Sequence, residues 1–170
     1  MVLQEMKPSV IKNFLKPGEF KRIVTLFLSP NFPWYYESTV AVHNSPTEKK
    51  SRFFAMTHMF YRNHQFHSSY FEVLNPILKR LSPRALLRIK ANLFPSSSSL
   101  HTYPFHTDYP YSHKTAIYAI NTNNGYTVFK DKTKIESKEN QMVFFDGSKP
   151  HGSTNCTDQQ VRINIGFNYV

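Results

Sequence analysis

A chain of 170 residues, 40% hydrophobic and 15% aromatic, is long and apolar enough to bury a core, which excludes a disordered polypeptide. Its one cysteine, Cys156, excludes an internal disulfide, and no apolar run approaches the length of a membrane-spanning helix. A formal charge of +10 raises the odds of an anionic partner, whether nucleic acid, an acidic protein or a charged small substrate.

From the amino terminus, Ser9 to Leu15 and Glu19 to Ser29 read as two short helices broken by Lys16-Pro17-Gly18. In the second, Phe20, Ile23, Val24 and Phe27 fall on one helical face. Trp34 to Val42 reads as extended, and Arg52 to Tyr61 as a strand. Ser69 to Leu81 has helical spacing of its apolar residues, with Pro76 expected to kink or split it.

From Leu86 the period changes to two. Leu87, Ile89, Ala91 and Leu93 alternate with Arg88, Lys90 and Asn92. Near the carboxyl end Val161, Ile163, Ile165 and Phe167 alternate with Arg162, Asn164, Gly166 and Asn168. Such alternation puts each set on its own sheet face. The polar sets either meet water or line a ligand cavity while the apolar sets pack under helices. Between these two segments lie strands near Thr115 to Asn121, Tyr126 to Lys130 and Met142 to Phe145, with Asn124-Gly125 as a hairpin turn signal. Many short strands after a helical start predict a sandwich or barrel with helices on one side.

His106-Thr107-Asp108 is the central motif. On a strand, residues i and i+2 leave the same face, so an imidazole and a carboxylate can grip one metal from adjacent directions. A second imidazole completes a 2-His-1-carboxylate set that leaves coordination positions open on iron. His151 is the candidate, following the strand Met142 to Phe145 and the turn Asp146-Gly147-Ser148. Arg162 opens the last strand, where a buried guanidinium can hold a carboxylate through two parallel charge-assisted bonds. His64 and His67 form a rival pair at i, i+3, with no nearby carboxylate or cysteine to complete a site. His43, His58, His101 and His113 show no ligand spacing, and no phosphate-binding loop or hydrolase signature is evident.

The order His-x-Asp, His, Arg resembles the 2-oxoglutarate/Fe(II) oxygenase superfamily. Thr115-Ala116-Ile117-Tyr118-Ala119-Ile120-Asn121 followed by Asn124-Gly125-Tyr126-Thr127-Val128-Phe129 is similar to the pattern of its prolyl-4-hydroxylase-like branch. The resemblance covers about residues 86 to 170. It implies a mainly β, α+β fold: a double-stranded β-helix, or jelly roll, with amino-terminal helices on the larger sheet. The expected organisation is one oxygenase domain over 1–170, with 1–85 as helical and strand support and 86–170 as the core.

The resemblance implies His106, Asp108 and His151 as the catalytic iron ligands and Arg162 as the holder of the far carboxylate of 2-oxoglutarate. Asn92 matches an asparagine that some relatives use for the cosubstrate, and Thr127 and Asn164 sit where its pocket is often lined. A cosubstrate-binding tyrosine is common at the position of Phe94 or Ala119; here Thr127, Lys90 or Tyr118 is the candidate for that hydrogen bond. The implied activity is hydroxylation of a substrate C–H bond, a peptidyl prolyl residue first, using Fe(II), 2-oxoglutarate, O₂ and ascorbate. Three alternatives stay open: an AlkB-like nucleic-acid demethylase with Trp34, Tyr35 or Tyr36 stacking on a base, a cupin-type iron enzyme without 2-oxoglutarate, and a non-catalytic jelly-roll protein. The amino terminus MVLQEMKPSV lacks a signal-peptide core, so the expected location is cytoplasmic, away from membranes.

Overall fold

The computed structural model describes residues 7–38 and 53–170. In chain order the elements are β1 (Ser9–Ile11), α1 (Pro17–Phe27), β2 (Tyr35–Glu37), β3 (Ala55–Arg62), β4 (Gln65–Phe66), a 3₁₀ turn (Phe71–Leu74), α2 (Asn75–Leu81), β5 (Leu86–Pro95), β6 (Lys114–Ala119), β7 (Asn123–Phe129), β8 (Lys134–Ser137), β9 (Gln141–Asp146), β10 (His151–Ser153) and β11 (Val161–Tyr169). The larger sheet runs β1-β9-β6-β11-β5-β3-β2, with β4 paired to β3, and the smaller runs β10-β7-β8. Every pairing is antiparallel. Single bridges, Thr102 to Thr154 and His106 to His151, lay the segment before β6 along the free edge of β10. This is the jelly roll that the resemblance implies, and it fits the sandwich with helices on one side that the strand pattern predicts.

The two faces of the larger sheet differ as the alternation predicts. Ile89, Ala91, Ala116, Tyr118, Ile163, Ile165 and Phe167 form one buried cluster with Ile23 and Phe27 of α1 and with Leu74 and Ile77. Each fully buried side chain of this size contributes roughly 1.5–3 kcal/mol. The opposite face of the same strands turns toward the smaller sheet, and the site lies there.

Ser9 to Leu15 is not a helix. Ser9, Val10 and Ile11 pair with Phe144, Val143 and Met142 as an edge strand, and Asn13 turns the chain with φ of 49°. Asn140 then ties the chain down: its Oδ1 accepts the Leu15 N–H at 2.8 Å and its Nδ2 donates to the Leu15 carbonyl at 2.9 Å. Pro17 begins α1 instead of breaking a helix, because its fixed φ and missing N–H suit the first turn. Glu19 closes that turn by accepting the Lys16 N–H at 3.2 Å.

Pro76 splits Ser69 to Leu81 as expected, with the 3₁₀ turn before it and α2 starting at Asn75. The extended reading of Trp34 to Val42 holds for Tyr35–Glu37; residues 39–42, His43 and Arg52 lie outside the described residues. Asn124-Gly125 is not a turn. Both residues lie inside β7, where the register with β8 shifts between Asn123 and Tyr126. The glycine answers to close approach instead: a Cβ on Gly125 would lie 2.4 Å from the Asn155 carbonyl oxygen and 2.5 Å from Arg162 Cδ.

Candidate metal centre

Antiparallel register builds the inner wall row by row. Arg88 lies beside Asn168, Lys90 beside Gly166, Asn92 beside Asn164, and Phe94 beside Arg162. On the other edge of β11, Asn168 pairs with Thr115 and Gly166 with Ile117. Between this wall and β10 lies a cavity of about 480 Å³, bordered by Arg88, Lys90, Asn92, Phe94, Asn164, Asn168 and Ser153, and by His106, Asp108 and His151.

His106 and His151 are brought together by backbone. The His106 N–H donates to the His151 carbonyl at 2.9 Å, and the His151 N–H returns a bond at 3.0 Å. The imidazole centroids then stand 4.6 Å apart. His106 is a lone bridge and residues 106–108 form no strand, so the i, i+2 strand argument does not account for the approach of His106 and Asp108. The Asp108 N–H is held by the Gly147 carbonyl at 3.0 Å. Only glycine fits at 147, since a Cβ would come within 2.0 Å of Thr115 Oγ1 and 2.3 Å of His113 Nε2.

His106 Nε2 lies 3.9 Å from Asp108 Oδ1, and His151 Nε2 lies 3.8 Å from Asp108 Oδ2. The three ligand atoms all lie within 4.8 Å of one another, the one such group found among the described residues. Two bonds of roughly 2.1 Å reach across a gap of about 4 Å, so one cation can touch all three after a small contraction. Each imidazole keeps Nδ1 on a backbone carbonyl, Pro104 at 3.4 Å for His106 and Lys149 at 3.0 Å for His151. A carbonyl only accepts, so Nδ1 carries the proton and each Nε2 offers its lone pair to the site.

The protonation states suit a cation. Burial, reinforced by His151, pulls His106 down to about 4. His151 is lowered too, chiefly by burial. Burial alone would raise Asp108, but Arg88, the two histidines and the Asn168 hydrogen bond together outweigh it and hold the carboxyl at about 2. Two neutral imidazoles beside one carboxylate is the ligating form.

Asp108 is held on every side. Arg88 Nη2 donates to its Oδ1 at 2.6 Å. Thr115 Oγ1 and Asn168 Nδ2 donate to its Oδ2 at 2.9 and 2.8 Å. Asn168 also donates to Thr115 at 2.8 Å, and His113 Nε2 stands 3.4 Å from that hydroxyl. Arg88, Thr115, Asn168 and His113 lie outside the sequence motif that marks the centre. Arg88 and Asn168 sit in the alternating polar sets, but no local pattern shows their common target.

The predicted cosubstrate residues divide into three groups. Asn92 and Asn164 line the cavity and are bonded to each other, Nδ2 to Oδ1, at 3.1 Å. Thr127 and Arg162 are buried but are not among the lining residues. Arg162 is 2% exposed, and its Nη1 donates to Ser153 Oγ at 2.6 Å and to the Thr154 carbonyl at 3.1 Å. Its guanidinium lies 5.4 Å from the Phe94 ring centre, and its Nε is buried without a partner. Burial lowers it to about 10.

Tyr118 is a correction: it is on the helix side of the sheet, fully buried, and its hydroxyl donates to Asn140 Oδ1 at 2.7 Å. Strand alternation sends residue 118 away from the cavity that Thr115 and Ile117 line. The rival histidines are separate from the site; His64 stands in the β3–β4 turn with φ of 60°, and His67 bonds the Arg62 carbonyl at 3.2 Å. His58 is spent on the Pro33 carbonyl and Ser68 Oγ, both at 2.7 Å.

These residues fit a ferrous ion and a carboxylate-bearing cosubstrate. Two imidazoles and a carboxylate with open positions suit Fe(II). The unpartnered Arg162 Nε is a buried donor lacking an acceptor, which a carboxylate would provide.

No family model matches the chain, and no curated protein matches it by sequence. Solved structures do match in fold. A viral collagen prolyl hydroxylase from Paramecium bursaria Chlorella virus-1, in complex with 2-oxoglutarate, is 14% identical, with a TM-score of 0.62 over 96% of each chain. An oxidoreductase of the 2OG-Fe(II) oxygenase family from Burkholderia pseudomallei is 9% identical, with a TM-score of 0.70 over 95% of this chain and 84% of that one. A prolyl hydroxylase from Trichoplax adhaerens, in complex with a peptide fragment of hypoxia inducible factor, is 12% identical, with a TM-score of 0.63 over 95% and 83%. The chain therefore has the double-stranded β-helix fold of the prolyl hydroxylases and 2-oxoglutarate/Fe(II) oxygenases. Among the described residues no helix is long and apolar enough to cross a membrane.

Proposed function

We propose that this protein is an Fe(II)- and 2-oxoglutarate-dependent dioxygenase that hydroxylates a C–H bond of its substrate. The observation that carries the reading is the convergence of His106, Asp108 and His151 at the wall of one cavity, with both Nε2 lone pairs free for a cation. These three would hold Fe(II). Arg162 would hold the far carboxylate of 2-oxoglutarate, with Asn92 and Asn164 lining the pocket and Thr127 behind it, paired with Ser153. When bound, iron and cosubstrate supply O₂ activation, converting 2-oxoglutarate to succinate and CO₂ while one oxygen atom goes to the substrate.

The protein's own part is positioning. Asn168 and Thr115 fix Asp108 from behind, so its carboxylate does not need to reorganise when a cation arrives. The Pro104 and Lys149 carbonyls hold both imidazoles in the ligating tautomer. Ser153 and Phe94 both touch Arg162 and line the cavity. Ser153 already occupies Nη1, so the buried Nε is the donor left for a carboxylate.

A peptidyl substrate, proline first, is supported by the similarity to prolyl hydroxylases, one of them bound to a peptide. The formal charge of +10 keeps a nucleic acid as the second reading. The test is succinate formation by purified protein with Fe(II), ascorbate and 2-oxoglutarate, with proline-containing peptides and methylated oligonucleotides offered in parallel. Turnover in wild type, absent in folded His106→Ala and Asp108→Ala, is the expected result. No succinate with any substrate or without one, from protein that binds Fe(II), contradicts the proposal.

A further inference from the structure

Among the described residues, Arg88 makes the shortest hydrogen bond to Asp108. Its Nη2 donates to Asp108 Oδ1 at 2.6 Å, the oxygen that faces His106. Its Nε donates to Asn168 Oδ1 at 3.0 Å, and Asn168 in turn donates to the other Asp108 oxygen at 2.8 Å. Arg88 and Asn168 thus close a ring of hydrogen bonds around both carboxylate oxygens. The guanidinium also borders the cavity beside Lys90.

A guanidinium so placed acts on a metal in two ways. It competes for lone pairs on Oδ1, and it sets a fixed positive charge within a few ångströms of an arriving divalent cation. Both oppose the cation alone. A doubly charged 2-oxo acid reverses the balance, because its negative charge is attracted by the cation and by Arg88 together, and Arg88 lines the cavity that would hold it. Lys90 adds a second cation in the same wall, drawn down to about 8 by burial first and by Arg88 next.

We propose that Arg88 makes metal loading conditional on the cosubstrate, weakening the affinity for a divalent cation alone and strengthening it for the cation and the dicarboxylate together. The inference rests on the reading of this cavity as a metal and 2-oxo-acid site. By linkage, the factor by which 2-oxoglutarate tightens metal binding equals the factor by which metal tightens 2-oxoglutarate binding, so the coupling is measurable from either side.

The experiment is calorimetric titration of Mn(II), with and without saturating 2-oxoglutarate, into wild type, Arg88→Met and Arg88→Lys. Circular dichroism of each variant serves as the folding control. Arg88→Met is expected to bind Mn(II) alone at least about tenfold more tightly and to lose at least about tenfold of the coupling factor. Arg88→Lys, which keeps the charge, should restore most of the coupling. A purely structural Arg88 predicts the opposite sign: weaker Mn(II) binding in Arg88→Met, with coupling unchanged. That result overturns the proposal, as does an Arg88→Lys variant whose coupling matches that of Arg88→Met. If Arg88→Met does not fold, Arg88→Gln and the milder Lys90→Met are read instead, each expected to lower the coupling and each contradicting the proposal if it does not. Wild type that binds Mn(II) but no 2-oxoglutarate removes the cosubstrate reading and this inference with it, whereas wild type that binds both, with coupling unchanged in every variant, removes the inference alone.

Discussion

The two faces of β5 and β11 are made from the same two runs of backbone and do opposite work. Toward the helices, Ile89, Ala91, Ile163, Ile165 and Phe167 are fully buried among α1, α2 and the 3₁₀ turn. Toward the cavity, Arg88, Lys90, Asn92, Asn164 and Asn168 carry polar groups that a core would reject unless paired. One face holds the strands in register, and the other uses that register to set side chains at fixed heights around Asp108. Changes on the first face should therefore act on stability, and changes on the second on metal and ligand binding.

The largest effect tests the helix-facing side. Phe167→Ala removes a fully buried ring and is expected to cost about 3–5 kcal/mol in urea unfolding, with metal affinity per folded molecule unchanged. A loss of metal binding equal to the loss of stability would erase the division between the faces. On the cavity side, Asp108→Asn should lower Fe(II) affinity by more than about 100-fold, beyond the range typical of residues behind the ligands, while the unfolding midpoint changes far less. Anaerobic titration followed by thermal denaturation reads both quantities.

The next effect is on pH. His106 titrates near 6.5 when unfolded and at about 4 when folded, so between these values the unfolded chain binds more protons. Stability of the metal-free protein should then be fully present above about 6.5 and fall as pH drops toward 4. Urea midpoints at pH 7 and pH 5 measure the slope, and His106→Gln should flatten it; an unflattened slope would assign it to other groups. Asp108 stays ionised through this window, since it is held at about 2. The smallest effect belongs to Tyr118→Phe, which removes the hydrogen bond to Asn140 and should cost about 1 kcal/mol while leaving 2-oxoglutarate affinity at the wild-type value. A tenfold weaker ligand would return Tyr118 to the cosubstrate pocket.

Much of this architecture is legible in the sequence because it rests on local periodicity. Alternation in Leu87 to Leu93 and Val161 to Phe167 identifies both strands and both faces, and the order of His106, Asp108 and His151, by its resemblance to a known motif, names the three residues that the fold brings together. Features set by distant pairing are not legible. Ser9–Ile11 is a strand only because β9 offers it an edge, and Asn140, 125 residues from Leu15, sets where it ends. Gly125 looks like a turn residue, but its small size serves the passage of Arg162. Tyr118 belongs to a motif that resembles a cosubstrate strand, and only the parity of that strand shows that its ring points into the core. The ring of Arg88, Asn168, Thr115 and His113 around Asp108 joins residues as far apart as 88 and 168, and no local pattern signals it.

The central claim is that His106, Asp108 and His151 bind one metal together. X-ray absorption at the iron edge of the anaerobic Fe(II)-loaded protein, with iron counted per chain, tests it most directly. One iron per chain with scattering from two imidazoles, reduced to one imidazole in His151→Ala, is the predicted result. Iron bound with no imidazole scattering, or a spectrum unchanged by His151→Ala, would contradict it.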